Sequence, residues 1–64
     1  MKRIFYKDEY YDYWEEHPDK ESALKEVEVM KKTGIAKATK IVKEKSRFGN
    51  QNVWVIYYIP MQRY

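Results

Sequence analysis

Residues 53–59 form the only long continuous apolar run in the chain, and each of them is β-branched or aromatic. Such side chains suit a pleated, half-buried surface. Gly49, Asn50 and Asn52 precede the run and Pro60 follows it, so turn-forming or strand-ending residues mark both ends. The pattern predicts a buried strand over residues 53–59, around which the other elements are arranged.

A helical period occupies residues 19–33, where apolar positions recur at a spacing of three and four. The predicted apolar stripe consists of Ala23, Leu24, Val27 and Met30. Val29 lies outside this stripe. Asp19 is suited to cap the helix, and Gly34 suits the left-handed position that ends one. We therefore expect one amphipathic helix that lies on a sheet.

Two other segments read as strands, residues 1–7 and residues 35–45. Alternation in the second is imperfect, because Lys40 shares a face with apolar residues, and a bulge near Lys40 or Ile41 would reconcile it. Residues 46–51 are the predicted connection into the apolar run, with Gly49 and Asn50 suited to a tight hairpin.

Residues 8–16 are ambiguous. Asp8 could cap a helical turn with acidic residues near its start. The abundance of Tyr and Trp instead favours extended structure, which would put Tyr11 and Tyr13 on one face. We favour the extended alternative.

These elements predict a small α+β fold, β-α-β-β, as a single domain over residues 1–64. One helix packs on one face of a three-stranded mixed or antiparallel sheet. The run 53–59 lies in the centre, antiparallel to two flanking strands that are parallel to each other. Since a single helix covers a single face, we expect the other face to be left to solvent or to a partner.

The central strand is apolar on both faces, so alternation does not decide which face the helix covers. One face carries Val53, Val55, Tyr57 and Ile59, and the other carries Trp54, Ile56 and Tyr58. An uncovered apolar face of several hundred Å² usually marks an interaction site.

Composition narrows the classes of protein. A chain of 64 residues buries only about 60% of its unfolded surface, so stability must come from aromatic packing or a partner subunit. The absence of cysteine excludes a disulfide scaffold and a thiol nucleophile. We expect no metal or other cofactor. No signal peptide and no membrane span is visible, and we expect a cytoplasmic protein that does not enter membranes.

The net charge of +3 is unevenly distributed. Residues 8–28 hold nine acidic residues against two lysines, whereas residues 29–64 hold eight basic residues against Glu44. Such asymmetry is typical either of halves that attract each other within the fold or of a basic site for an anionic partner.

Two hypotheses of function follow. The first is a protein-interaction module that forms a homodimer or binds a protein partner through an aromatic sheet face. Its expected contact residues are Trp54, Ile56, Tyr58, Tyr11, Tyr13 and Trp14. The second is nucleic-acid binding, because basic residues track phosphates and aromatic rings stack on unpaired bases. Its expected contact residues are Lys37, Lys40, Lys43, Lys45 and Arg47.

Catalytic patterns are missing. His17 is the only histidine, and no Ser-His-Asp set, HExxH motif or phosphate-binding glycine loop occurs. Acidic residues are abundant, but nothing singles out a pair for acid and base chemistry. We expect a protein that is not an enzyme.

Overall fold

A computed structural model describes residues 3–46 and 49–61. It contains five elements in the order β1 (Arg3–Tyr6), β2 (Glu9–His17), α1 (Lys20–Lys32), β3 (Ala36–Lys45) and β4 (Asn52–Pro60). The four strands form one sheet in the order β1-β2-β4-β3, and every neighbouring pair is antiparallel. The fold is therefore α+β with one helix, as predicted.

The predicted three-stranded β-α-β-β order is wrong in detail. The segment before the helix contains two strands, because the chain reverses at Lys7 and Asp8, whose φ angles are 50° and 65°. Two successive positive φ values are the signature of a two-residue type I′ hairpin turn. The extended alternative for residues 8–16 is confirmed, and β2 takes the place beside the central strand that we had given to residues 1–7.

Helix α1 begins and ends as the sequence predicts. The Asp19 carboxylate accepts a hydrogen bond from the backbone N–H of Ser22 at 2.7 Å. At the other end Gly34 has a φ of 75°, and the N–H groups of Gly34 and Ile35 donate to the carbonyls of Lys31 and Met30. This is the Schellman arrangement, which satisfies carbonyls that the helix leaves unpaired.

The buried stripe of α1 consists of Ala23, Val27 and Met30. Leu24, a member of the predicted stripe, is instead 50% exposed, because it lies at the edge of the stripe. Val29 is also exposed, in agreement with its position outside the stripe.

The helix packs on the face of β4 that carries Ile56. A core cluster joins Ile56 and Ala36 to the buried stripe, with Trp14, Ile41, Trp54 and Tyr58 packed against it. This contact settles which face of the central strand the helix covers.

The opposite face of β4 is not left open, contrary to our expectation. Val53, Val55 and Tyr57 form a second buried cluster, and Ile59, of the same parity, is buried too. Side chains of the other strands cover the cluster: Ile4, Tyr11, Tyr13 and Val42. The two edge strands come together over it, since the Lys40 ammonium of β3 lies 3.8 Å from the ring centroid of Tyr6 in β1. The sheet is therefore curled and covers this face itself.

Two irregularities of register position the side chains. The first is a bulge in β2, where Trp14 is the extra residue between the pairs Tyr13↔Tyr57 and Glu15↔Ile56. The second lies between Ala36 and Ala38 of β3. The bulge that we expected near Lys40 or Ile41 is absent from the described ladder, which runs without a shift from Ala38 to Lys45. Lys40 shares its face with Ala38, Val42 and Glu44, and it is half-buried with its ammonium over the Tyr6 ring at the edge.

Candidate interaction surfaces

The hairpin of β1 and β2 carries two aromatic pairs, one on each face. Phe5 and Tyr10 face each other across the ladder, with ring centroids 4.9 Å apart. Tyr6 and Tyr11 form the other pair, edge to face at 6.2 Å. Residues directly opposite in an antiparallel ladder share a face, so the register places the first pair on the helix side of the sheet and the second on the helix-free side.

The Phe5–Tyr10 pair is the most exposed aromatic surface in the described part of the chain, at 60% and 52%. The Arg3 guanidinium lies 5.4 Å from the Tyr10 ring centroid and also pairs with Asp12, with Nε 2.9 Å from Oδ1. We call Arg3, Phe5 and Tyr10 the hairpin patch. It combines two exposed rings with a guanidinium whose charge is compensated by Asp12.

The six predicted protein-contact residues fall on two sides of the sheet. Trp14, Trp54, Ile56 and Tyr58 lie on the helix side, and Tyr11 and Tyr13 on the other. Ile56 is fully buried beneath α1, and the other five are half-buried. The structure therefore does not bring the six together on one surface.

Trp14 connects the bulge to the helix. Its indole N–H donates to Glu26 Oε2 at 2.9 Å, and its ring packs edge to face on Tyr58 at 5.0 Å. A bulge places two consecutive side chains on nearly the same side of a strand, which is how Trp14 reaches α1.

The lysines of β3 lie along one edge of the sheet. Lys37, Lys43 and Lys45 are exposed and Lys40 is half-buried. Arg47, the fifth predicted nucleic-acid contact, lies outside the described residues. Within residues 3–46 and 49–61, the carboxylate pairs of lysine are limited to Glu21–Lys25 and Glu28–Lys32 on the helix.

The acidic part of the hairpin, residues 9–16, does not form ion pairs with this edge among the described residues. It lies on β2, and β4 separates β2 from β3. Attraction between the acidic and basic halves is one of our two explanations of the charge asymmetry. Among the described residues, no ion pair joins a lysine of β3 to a carboxylate of β2. Glu44, the one acidic residue of β3, instead accepts the hydroxyl hydrogen of the buried Tyr57.

Trp54 lies beside the lysine edge. It pairs in register with Lys43, whose ammonium is 5.7 Å from the indole ring centroid, and the Lys20 ammonium is 5.6 Å from the same ring. Two cations over one half-buried ring are consistent with cation–π attraction and with aliphatic stems that cover the indole.

The polar side chains at the end of β2 and after β3 form hydrogen-bonded pairs. His17 Nε2 lies 2.7 Å from Glu15 Oε1, and the Ser46 hydroxyl donates to Glu16 Oε1 at 3.0 Å. The second oxygen of Glu16 is buried without a hydrogen-bond partner. Among the residues that the structure describes, no group of three or more His, Asp and Glu side chains is arranged to hold a metal ion.

The exposure of Phe5 and Tyr10 was not foreseen as a candidate site. In the sequence, the only indication was the alternation along residues 1–7, which places Phe5 on the other face of the strand from Ile4 and Tyr6. The pairing of Phe5 with Tyr10 depends on the turn at Lys7 and Asp8, and these two residue types do not predict a tight turn.

No family model, curated protein or solved structure matches this chain. In the part of the chain that the structure describes, α1 is the only helix, and it is neither long nor apolar enough to cross a membrane.

Proposed function

We propose that the chain is a non-enzymatic protein-interaction module whose contact surface is the hairpin patch. The observation that carries this proposal is the exposure of Phe5 and Tyr10 as a packed pair. Tyr and Arg are enriched among the residues that dominate binding energy at interfaces, and aromatic rings in general are enriched there. Packing between the two rings lowers the conformational entropy that a partner would have to remove.

The patch replaces the sheet face that the sequence suggested. Five apolar residues of β4 are already buried, beneath α1 or beneath the curled sheet, whereas Trp54 and Tyr58 are half-buried. They supply stability, and the exposed rings of the hairpin supply the contact area.

We propose self-association as the first form of this interaction. A symmetric dimer brings the same patch of two copies together. The Arg3–Asp12 pair leaves little uncompensated charge at the patch itself, so two copies meet without strong repulsion there. The β3 edge, by contrast, would oppose lysine to lysine, which is a common protection against edge pairing.

Sedimentation equilibrium between about 1 µM and 1 mM tests this form, since an interface below about 1,200 Å² gives weak association. We expect a monomer–dimer equilibrium that Phe5→Ser and Tyr10→Ser each weaken about tenfold or more. Val29→Ser is the matched control, because Val29 is also 50% exposed but lies on the helix. A monomer at all concentrations, or equal loss in the control, would rule out self-association through the patch.

A heterologous partner is tested by site-specific photocrosslinking. A benzophenone amino acid at position 10 should give a discrete protein adduct in the source cells, and the same group at position 29 should not. Identical adduct patterns at both positions, or none at position 10 in a protein that is also monomeric, would contradict an interaction role for the hairpin patch.

A further inference from the structure

The four lysines of β3 are accompanied by a single carboxylate of their own strand, Glu44. Lys37, Lys43 and Lys45 are exposed, and none of them forms an ion pair with a carboxylate among the described residues. The sequence pI is about 9.1. An uncompensated row of lysines along one strand attracts anions and is the electrostatic footprint of nucleic-acid binding.

An aromatic ring lies within reach of this row. Trp54 is half-buried and lies between Lys20 from the start of α1 and Lys43 from β3, at 5.6 and 5.7 Å from their ammonium groups. Bases of a single strand stack on such rings while lysines contact the phosphates on either side. We infer that Trp54, Lys20 and the β3 lysines bind single-stranded nucleic acid, with the indole stacked on a base and the ammonium groups displaced towards the phosphates.

The neighbouring carboxylates are engaged with groups other than the β3 lysines. Glu15 is bound to His17, Glu21 to Lys25, and Asp19 to the N–H of Ser22. Glu44 lies on the opposite side of β3, where it accepts the Tyr57 hydroxyl. Each nearby acid is therefore engaged with a donor of the same chain.

Single-stranded rather than duplex nucleic acid fits the shape of the site. A duplex keeps its bases stacked, whereas Trp54 needs an unstacked base. The exposed face of α1 is also unsuited to a duplex groove, because Glu21 and Glu28 lie on it, each balanced by a lysine. This site is on the opposite sheet edge from the hairpin patch, and it does not depend on the proposed protein interaction.

Fluorescence titration with oligodeoxythymidine of about 15 nucleotides tests the inference, that length being within the range of known single-strand sites. The Trp14→Phe variant leaves Trp54 as the sole tryptophan. We expect its emission to be quenched on binding. We also expect log K to fall with log salt at a slope of roughly −2 to −3, because single strands give about −0.7 per phosphate contact.

A pair of double variants makes the test specific. Lys43→Gln with Lys45→Gln should reduce the magnitude of the salt slope by about 1.4. Lys25→Gln with Lys32→Gln removes the same charge from the helix surface and should leave the slope unchanged. If Trp14→Phe does not fold, the two indole N–H signals of the wild-type protein in heteronuclear NMR replace fluorescence, and Trp54 alone should shift.

Any one of the following results would overturn the inference. One is no binding at about 50 mM salt. Another is an equal change of slope in both double variants, which would mean attraction by net charge alone. The third is binding without a response from Trp54, or equally tight binding of inorganic polyphosphate, which has no base to stack.

Discussion

At the scale of single residues, Asp19 starts the helix and links stability to pH. The backbone N–H of Ser22, and secondly its side chain, donate to the Asp19 carboxylate and hold its pKa below the ordinary value of 3.8. A depressed pKa in the folded state means that the charged carboxylate stabilises the fold. This contribution is complete above the unfolded-state pKa and is lost as the pH falls through the folded-state pKa.

Below about pH 4, the urea midpoint of the wild-type protein should decrease as the pH falls. The decrease should be smaller in the Asp19→Ser variant. Serine also caps helices but does not titrate, so this variant should remain close to wild type at pH 7. Asp19→Ala should be less stable than both at pH 7. Equal stability of the alanine and wild-type proteins at pH 7 would show that the cap contributes nothing.

The sequence predicts some of the roles of single residues and not others. The cap at Asp19 and the left-handed Gly34 follow from residue type and spacing, and both are confirmed. The partners of Trp54 are not readable in this way, because Lys20 and Lys43 come from distant segments that meet only after α1 has packed on the sheet.

At the scale of elements, the turn between β1 and β2 is the feature that the sequence concealed. Type I′ turns strongly favour Asn-Gly, and this chain uses Lys7 and Asp8, both in the left-handed region. A residue with a Cβ atom pays roughly 1 kcal/mol or more in that conformation. The hydrogen bonds between β1 and β2 therefore stabilise the turn, rather than the intrinsic backbone preferences of Lys7 and Asp8.

Asp8→Gly should therefore raise the free energy of unfolding by about 0.5–1 kcal/mol, after allowing for the extra entropy of glycine in the unfolded chain. Urea denaturation followed by circular dichroism measures the change. Asp8→Ala is the matched control, because it keeps the Cβ atom and should give no gain. A glycine variant that is less stable than the alanine variant would contradict the strain that we assign to this turn.

The elements differ in how far the sequence predicts them. Residues 53–59 and the helix carry strong patterns, and both appear with nearly the expected bounds. The bulge at Trp14 changes which side of β2 the later residues face, and no pattern in residues 8–16 signals it. The lysine row of β3 was foreseen as a candidate site, whereas the hairpin patch was not, because it requires the pairing of two strands across an unrecognised turn.

At the scale of the whole molecule, the sheet order determines both surfaces. Placing β4 between β2 and β3 separates the acidic and basic strands, and among the described residues no ion pair joins them. The same order puts β1 and β3 at the two edges, and the curl brings Tyr6 and Lys40 together over the helix-free face. The described residues thus build two small cores on one central strand with a single helix.

The helix-free core is tested at Tyr57, which is fully buried. Tyr57→Ala should cost about 3–5 kcal/mol, as large-to-small changes of buried aromatic residues do, and that is a large share of the stability of a 64-residue chain. Tyr57→Phe keeps the ring and loses the hydroxyl bond to Glu44, so it should cost only about 1–2 kcal/mol and remain folded. Val29→Ala, at an exposed position, should change stability by less than about 0.5 kcal/mol. Chemical denaturation of the three variants decides the matter, since a Tyr57→Ala protein as stable as Val29→Ala would mean that the curled sheet does not enclose a core.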